Sequence, residues 1–448
     1  MKSAKEQLTG KKILFATIPT DGHFNPLTGL AKYLQLLGCD IRWYTSVSFQ
    51  EKLDRLEIPL YPFQQAIEFD QTNFIELFPE RAGIKGVTEK MEFDLHYLLA
   101  DMAPDHFADI LKIHESFPFD MMIADCSFTA MPLVKHKLNI PVVSIGIYPL
   151  PEYSANLGPY SMGLPPAKNE VEMEAYAQLH EEALNKVFKG SVDSFHAILE
   201  DYDIHLDRAL VLDLLVKEAS LYLQIGTPSF EYIRAGMGEN IRFVGSLLPY
   251  SSNRQKQHWY DERLEQYTKV ILVTMGTIEK DTEKLIVPTL EAFQHSDTLV
   301  IATTGGNDTA KLRAKYTGKN IIIEDFIPYA DVMPYASVYI TNGGFGGVLL
   351  SISHQLPMVV AGLLEGKNEI CSRVGYFKLG VDLQTEKPAP GLIRIAVEEV
   401  LANVQYKNNI TSLSVEMDSY RSTELCASYL AELLSEVMVN SDGPVYKE

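Results

Sequence analysis

Two sets of residues in this chain could do chemistry together. One is His23 with Asp125. The histidine follows an apolar run at residues 13–18, and the aspartate closes another at 121–124. A carboxylate beside an imidazole fixes its tautomer and steadies the imidazolium, so the pair can act as a general base. No G-x-S-x-G supplies a serine nucleophile, and the base is expected to act on the substrate itself, most simply on a hydroxyl. On position alone, His23 could instead cap a helix and Asp125 bond loop amides. The other set is Asn342-Gly343-Gly344-Phe345-Gly346-Gly347. Glycines let a backbone approach a ligand closely, and free N–H groups at a helix start favour a phosphate. The spacing is not G-x-G-x-x-G, which argues against a nicotinamide cofactor. A tight turn with nothing bound is the plain alternative.

Other motifs are absent or misplaced. There is no G-x-x-x-x-G-K-[ST] and no H-E-x-x-H. Asp201-Tyr202-Asp203 is the one D-x-D that could hold a metal-bound sugar diphosphate, but it lies among helical patterns and reads as a solvated loop.

Both sets depend on elements that carry loop ends to one edge. Residues 13–18 read as a strand and 19–24 as a loop. Asn25 reads as an N-cap and Pro26 as the first helical position. Leu27, Leu30, Ala31, Leu34 and Leu37 recur at helical spacing and Gly38 closes the helix. Residues 41–45 form the next strand. This βαβ start predicts a parallel sheet wrapped by helices. Residues 63–104 read as irregular and aromatic-rich, with Phe69, Phe74, Phe78, Phe93 and Tyr97, and long insertions of this kind often line clefts. Strands are expected at 121–124 and 142–147, helix at 130–138, loop at 148–166 and helix across most of 171–215. After the polar stretch 249–267 the alternation starts afresh. Strands are read at 270–275, 299–303, 320–323, 337–341 and 357–361, with helices at 285–293 and 348–354. Beyond Pro390 the pattern is helical to about Val437. In a doubly wound sheet, His23 and Asp125 would share the carboxyl edge of the strands, where ligands bind.

Composition narrows the partners. The chain has 448 residues, 46% hydrophobic and 22% charged, with a net charge of −20. Nucleic acids and anionic membranes call for clustered Lys and Arg, so neither is expected as a partner. Cys39, Cys126, Cys371 and Cys426 form no C-x-x-C pair, which fits a reducing cytosol better than a disulfide fold. The first twelve residues are polar and no spanning segment is visible, so a cytoplasmic protein is expected.

Taken together, Gly22-His23-Phe24-Asn25-Pro26, Phe326-Ile327-Pro328, Thr341–Gly347, Leu356–Val360 and Glu365 resemble the nucleotide-sugar-dependent glycosyltransferases of the plant natural-product and macrolide type. The likeness covers nearly the whole chain. It implies an α/β fold of two Rossmann-like doubly wound parallel-sheet domains facing across a cleft, the GT-B fold. The implied division is an acceptor domain at 1–245, a linker at 246–268, a nucleotide-sugar domain at 269–410, and a C-terminal helix at 411–448 packing back towards the first domain.

The resemblance further implies inverting, metal-independent transfer. His23 would deprotonate the acceptor hydroxyl with Asp125 as its partner. The donor would be a nucleoside-diphosphate sugar, a co-substrate rather than a cofactor. Phe326 would stack on the base, with Ile327 offering its backbone and Pro328 following. Gly276, Thr277, Asn342, Gly343, Gly344, Gly346, Gly347 and Val348 would line the diphosphate, with Gly22 opposite. Glu365 would hold sugar hydroxyls.

Three positions depart from the family pattern. Asn342 stands where His is usual, Leu350 where Glu binds the ribose, and Gly366 where Gln follows the acidic residue. These leave UDP-glucose and a TDP-deoxysugar such as rhamnose both open as donor. The expected acceptor is a small aromatic natural product, such as a flavonoid or macrolide-type molecule, and the expected state is a monomer or weak dimer. A sugar-nucleotide epimerase and a non-catalytic partner protein are the competing readings.

Overall fold

The computed structural model describes residues 3–69, 73–250, 258–276 and 279–441. Residues 251–257 of the expected linker, Thr277 and the final residues 442–448 lie outside the described residues.

Seven short runs rich in Ile, Leu, Phe and Val pair in parallel as one sheet in the first lobe. They are β1 (Lys12–Ala16), β2 (Asp40–Thr45), β3 (Leu60–Pro62), β4 (Met121–Asp125), β5 (Val142–Gly146), β6 (Leu221–Gln224) and β7 (Ile241–Phe243). Their spatial order is β3-β2-β1-β4-β5-β6-β7. The second lobe repeats the plan with β8 (Val270–Thr274), β9 (Leu299–Thr303), β10 (Ile321–Glu324), β11 (Val338–Thr341), β12 (Met358–Val360) and β13 (Gly380–Asp382), in the order β10-β9-β8-β11-β12-β13. Both sheets are doubly wound, as expected. In each, the order reverses between the first and fourth strands, between β1 and β4 and between β8 and β11. A reversal opens a crevice beyond the strand ends, because the loops on its two sides turn away to opposite faces.

Seven helices bear on the cleft and on the packing of the lobes. They are α1 (Asp21–Leu36), α2 (Ala103–Ser116), α3 (Met131–Leu138), α4 (Lys189–Asp201), α5 (Phe345–Ser353), α6 (Lys367–Tyr376) and α7 (Ser422–Ser441). Alternate strand residues face opposite sides, as the pleat requires. Val270 and Leu272 join a core continuous with the first lobe, while Ile271 and Val273 join a separate core on the outer face. The last helix returns to the first lobe. Cys426, Leu430 and Leu434 of α7 are buried in the same core as Leu8, Leu30 and Leu34.

Several local expectations are corrected. Helix α1 starts at Asp21, with Thr20 as N-cap, so Pro26 lies inside the helix. Proline cannot donate to the carbonyl four residues back, here Gly22. The first turn closes nonetheless, because the Thr20 carbonyl accepts the His23 and Phe24 N–H groups at 3.1 and 3.0 Å. Likewise α5 begins at Phe345, so Gly346 and Gly347 belong to its first turn. The 63–104 insertion is largely helical, in short pieces at Phe74–Leu77, Pro79–Gly83, Val87–Phe93 and Asp94–Ala100. Pro79, Gly83 and Gly86 cut it into lengths too short to show a period. Helix α6, strands β3, β6, β7 and β13 and the helix Thr309–Lys315 are additional to the expected elements.

Candidate active site

His23 sits in the first turn of α1, just past the end of β1, and Asp125 is the last residue of β4. These are the two strands that flank the reversal of the first sheet. The imidazole Nδ1 lies 2.8 Å from Asp125 Oδ1. Asp125 is fully buried and its carboxylate accepts two backbone bonds as well, from Ser127 N–H at 2.9 Å on Oδ1 and from Ile18 N–H at 2.9 Å on Oδ2. Three donors fix its orientation. Because the carboxylate accepts from Nδ1–H, the lone pair of the neutral ring rests on Nε2, which is the arrangement a general base needs. The His23 side chain keeps 20% of its surface exposed, enough for a substrate to reach.

The second sheet supplies the other wall. The α5 N-cap is Gly344, and the first bond of the helix runs from Val348 N–H to the Gly344 carbonyl at 3.0 Å. The N–H groups of Phe345, Gly346 and Gly347 therefore have no partner within the helix. A Cβ built on Gly344 or Gly346 would meet nothing within 4 Å, so the backbone is bare on the open side. Gly343 (φ 84°) is required as glycine, because a Cβ there would stand 2.4 Å from Cys371 Sγ. Gly276 (φ 73°) follows β8, and a Cβ on Gly305 would lie 3.9 Å from its carbonyl oxygen. Exposed N–H groups, the positive end of a helix and glycine-only backbone form a cradle suited to a phosphate.

Around this cradle the expected residues separate into groups. Phe326 presents its ring to solvent at 72% exposure beside the loop that follows β10, while Ile327 is buried and Pro328 exposed. Asn342 is buried, and its Nδ2 donates to the Met275 carbonyl at 2.7 Å. It ties the loop after β11 to the loop after β8. Val348 is fully buried with its N–H committed to α5, so it contributes to the core and not to the cleft. Leu350 packs against the same core. Glu365 is exposed and lies in the left-handed region at φ 57°, a conformation that costs energy for a residue with a Cβ. Its carboxylate pairs with Lys367 Nζ at 2.6 Å. Asp203 of the D-x-D is 91% exposed at the end of α4 and takes no part in the site.

Sequence reading missed several neighbours. Lys367 is one. Arg81 and Asp94 are another pair, joined by two bonds of 2.5 and 2.7 Å on the aromatic insertion, with the guanidinium 5.1 Å from the Phe74 ring centroid. The Arg81 guanidinium is held above its ordinary range by Asp94, and the Asp94 carboxyl is raised chiefly by burial. The negative charge of Glu365 adds a smaller upward push to both groups. No local pattern announces such pairs. Among the described residues, no group of three or more His, Cys, Asp and Glu side chains is placed to hold a metal ion, and no helix is long and apolar enough to cross a membrane.

The sequence profile of the UDP-glucoronosyl and UDP-glucosyl transferase family matches residues 174–419. The chain belongs to that family. It is a glycosyltransferase whose co-substrate is a nucleotide sugar. A curated relative, the 4'-demethylrebeccamycin synthase of Lentzea aerocolonigenes, is 31% identical over 419 residues, 91% of this chain and 96% of its own. Among solved structures, the calicheamicin glycosyltransferase CalG4 superposes with a TM-score of 0.73 at 20% identity, covering 97% of this chain and all of its own. The spinosyn rhamnosyltransferase SpnG complexed with thymidine diphosphate superposes at 0.62 with 13% identity, covering 94% of this chain and 99% of its own. These likenesses give the glycosyltransferase its GT-B fold, with the two reversals of strand order on facing edges.

Proposed function

We propose that this glycosyltransferase moves a hexose or deoxyhexose from UDP or TDP to a hydroxyl of a small aromatic natural product, with inversion and without a catalytic metal. The observation that carries the proposal is the His23–Asp125 contact at 2.8 Å in the first lobe, with the bare N-terminus of α5 in the second. His23 Nε2 takes the proton of the acceptor hydroxyl, and Asp125 steadies the resulting imidazolium. The acceptor oxygen attacks the anomeric carbon from the face opposite the diphosphate. The bond from that carbon to the phosphate oxygen breaks as the new one forms, and the electron pair leaves with the nucleoside diphosphate. The α5 amides and dipole receive the growing negative charge, which is where electrostatic stabilisation is most effective.

Phe326 stacks on the base, and Ile327 offers its backbone beside it. Glu365, held by Lys367, binds sugar hydroxyls. An aromatic acceptor is supported by the insertion, where Phe69, Phe74, Phe78, Phe93 and Tyr97 form an unbroken series of ring contacts 4.7 to 6.5 Å apart. The relative named as a rebeccamycin synthase and the calicheamicin and spinosyn enzymes support the natural-product class. With Leu350 unable to bond a ribose hydroxyl, the thymidine diphosphate bound by SpnG supports TDP as a donor nucleotide beside UDP.

A donor panel of UDP- and TDP-sugars against one phenolic acceptor, read by mass spectrometry with and without EDTA, tests the reading. Glycoside formed in proportion to nucleoside diphosphate, at an unchanged rate in EDTA, is the expected result. Sugar-nucleotide isomers formed without acceptor would overturn it.

A further inference from the structure

The loop that leaves β5 and spans residues 147–169 crosses from the first lobe onto α6 of the second. Its attachment is built from buried groups. Glu369 of α6 accepts the Ser161 and Gly163 N–H groups, each at 2.8 Å. Asn368 Nδ2 donates to the Ser161 carbonyl. Gly163 is in the left-handed region (φ 63°), and a Cβ there would stand 3.0 Å from the Asn368 carbonyl oxygen. Glu369 is in turn held by Arg373 Nη1 at 3.0 Å, and Arg373 Nε reaches Glu231 of the first lobe at 3.2 Å. Glu231 also accepts the Leu150 N–H, at the root of the same loop, at 3.1 Å. All three charged residues are at most 7% exposed.

What this attachment carries to the seam is Tyr160. Its ring lies 5.6 Å from that of Tyr148, whose hydroxyl is 3.2 Å from Ser127 Oγ. Ser127 is the residue whose N–H bonds Asp125. At its other end, the Tyr160 hydroxyl stands 3.2 Å from the point a Cβ on Gly366 would occupy. Gly366 (φ 74°) directly follows Glu365. Burial and the Glu369 carboxylate keep the phenol protonated. Among the described residues its hydroxyl has no hydrogen-bond partner. It is a donor left open beside the residue read as the sugar holder.

We propose that the Tyr160 hydroxyl hydrogen-bonds a hydroxyl of the donor sugar, so that the first lobe supplies a specificity-determining residue to the sugar subsite. The inference rests on Glu365 as the sugar holder. A half-buried phenol that meets no partner is penalised, so the enzyme favours a sugar bearing a hydroxyl on that edge over the deoxysugar lacking it. The Glu231–Arg373–Glu369 chain fixes the loop so that this contact and the His23–Asp125 base share one frame.

The test is Tyr160→Phe, which removes one oxygen, assayed with UDP-glucose, TDP-glucose and TDP-rhamnose and by calorimetry with UDP. The kcat/KM of the preferred donor is expected to fall about tenfold, the worth of one such bond, while the glucose-to-rhamnose rate ratio moves toward one and the UDP affinity stays within twofold. A variant with wild-type kcat/KM and donor ranking would overturn the proposal. So would loss of UDP affinity alongside activity, since the hydroxyl would then be supporting the fold. Glu365→Gln, run in parallel, separates the two claims. If it is impaired while Tyr160→Phe is not, only the role of Tyr160 falls; if it matches wild type, the sugar-holder reading falls and takes this one with it.

Discussion

Asn342 Nδ2 donates to the Met275 carbonyl oxygen at 2.7 Å, joining the loops that follow the two strands at the reversal of the second sheet. A Cβ on Gly276 would lie 3.9 Å from Asn342 Oδ1, so the amide spans the base of the cradle. A charged side chain is missing here, and what stands in its place is a brace that keeps the backbone donors in register.

If so, Asn342→Ala should weaken UDP and TDP binding about tenfold while leaving the acceptor KM unchanged. Asn342→Asp should do more, because a carboxylate cannot donate to Met275 and adds a negative charge beside the diphosphate. Calorimetry on the two variants reads both effects, and equal affinity in Asn342→Asp and wild type would refute the brace.

Arg373 is the cation of the seam between the lobes, bonded to Glu369 and Glu231 and stacked 4.2 Å from the Tyr232 ring centroid. Removing one partner of a buried pair leaves the others charged without compensation. Arg373→Met is therefore expected to destabilise the protein by about 3–5 kcal/mol in urea unfolding. Arg373→Met combined with Glu231→Gln and Glu369→Gln should recover a good part of that loss. A single substitution costing less than about 1 kcal/mol, the worth of an exposed pair, would mean the cluster is solvated and not structural.

His106 is 3% exposed, and its Nδ1 lies 2.9 Å from the Tyr44 hydroxyl, which donates to Asp109. Burial lowers its pKa from 6.5 to about 4, against the pull of Asp109 and Asp125. The unfolded chain therefore takes up the proton first as pH falls. The contribution of neutral His106 is fully present above pH ~6.5, declines as pH drops from there to ~4, and is lost below that, amounting to about 3 kcal/mol. Urea unfolding at pH 7.5 and 4.5 should show wild type losing more stability than His106→Gln. Equal losses would contradict the assignment.

Much of this architecture is legible in the amino-acid sequence. The central strands of both sheets show as short apolar runs, whereas the three- and four-residue strands β3, β6, β7 and β13 are too short to show a pattern. Strand ends are where His23, Asp125, Gly276 and the 342–347 turn fall. The two-lobe plan follows from the alternation starting afresh after the polar stretch. The features that are not legible rest on contacts between distant residues or on backbone closure. Asn25-Pro26 mimics a helix start, yet the helix begins at Asp21 because the Thr20 carbonyl closes the first turn. Helix α6 begins after two left-handed residues, Glu365 and Gly366, with no capping side chain to mark it. Arg373 reads as an ordinary helical arginine, and only the fold brings it to Glu231, 142 positions earlier. Tyr160 lies in a loop of prolines and glycines whose path depends on those same buried charges.

The central claim is that His23 removes the acceptor proton, and the most direct measurement is the initial transfer rate of His23→Ala beside its affinity for UDP. A general base contributes about 10²- to 10⁴-fold, so kcat should fall by that order while UDP binding stays within twofold of wild type. Wild-type turnover in His23→Ala would contradict the account.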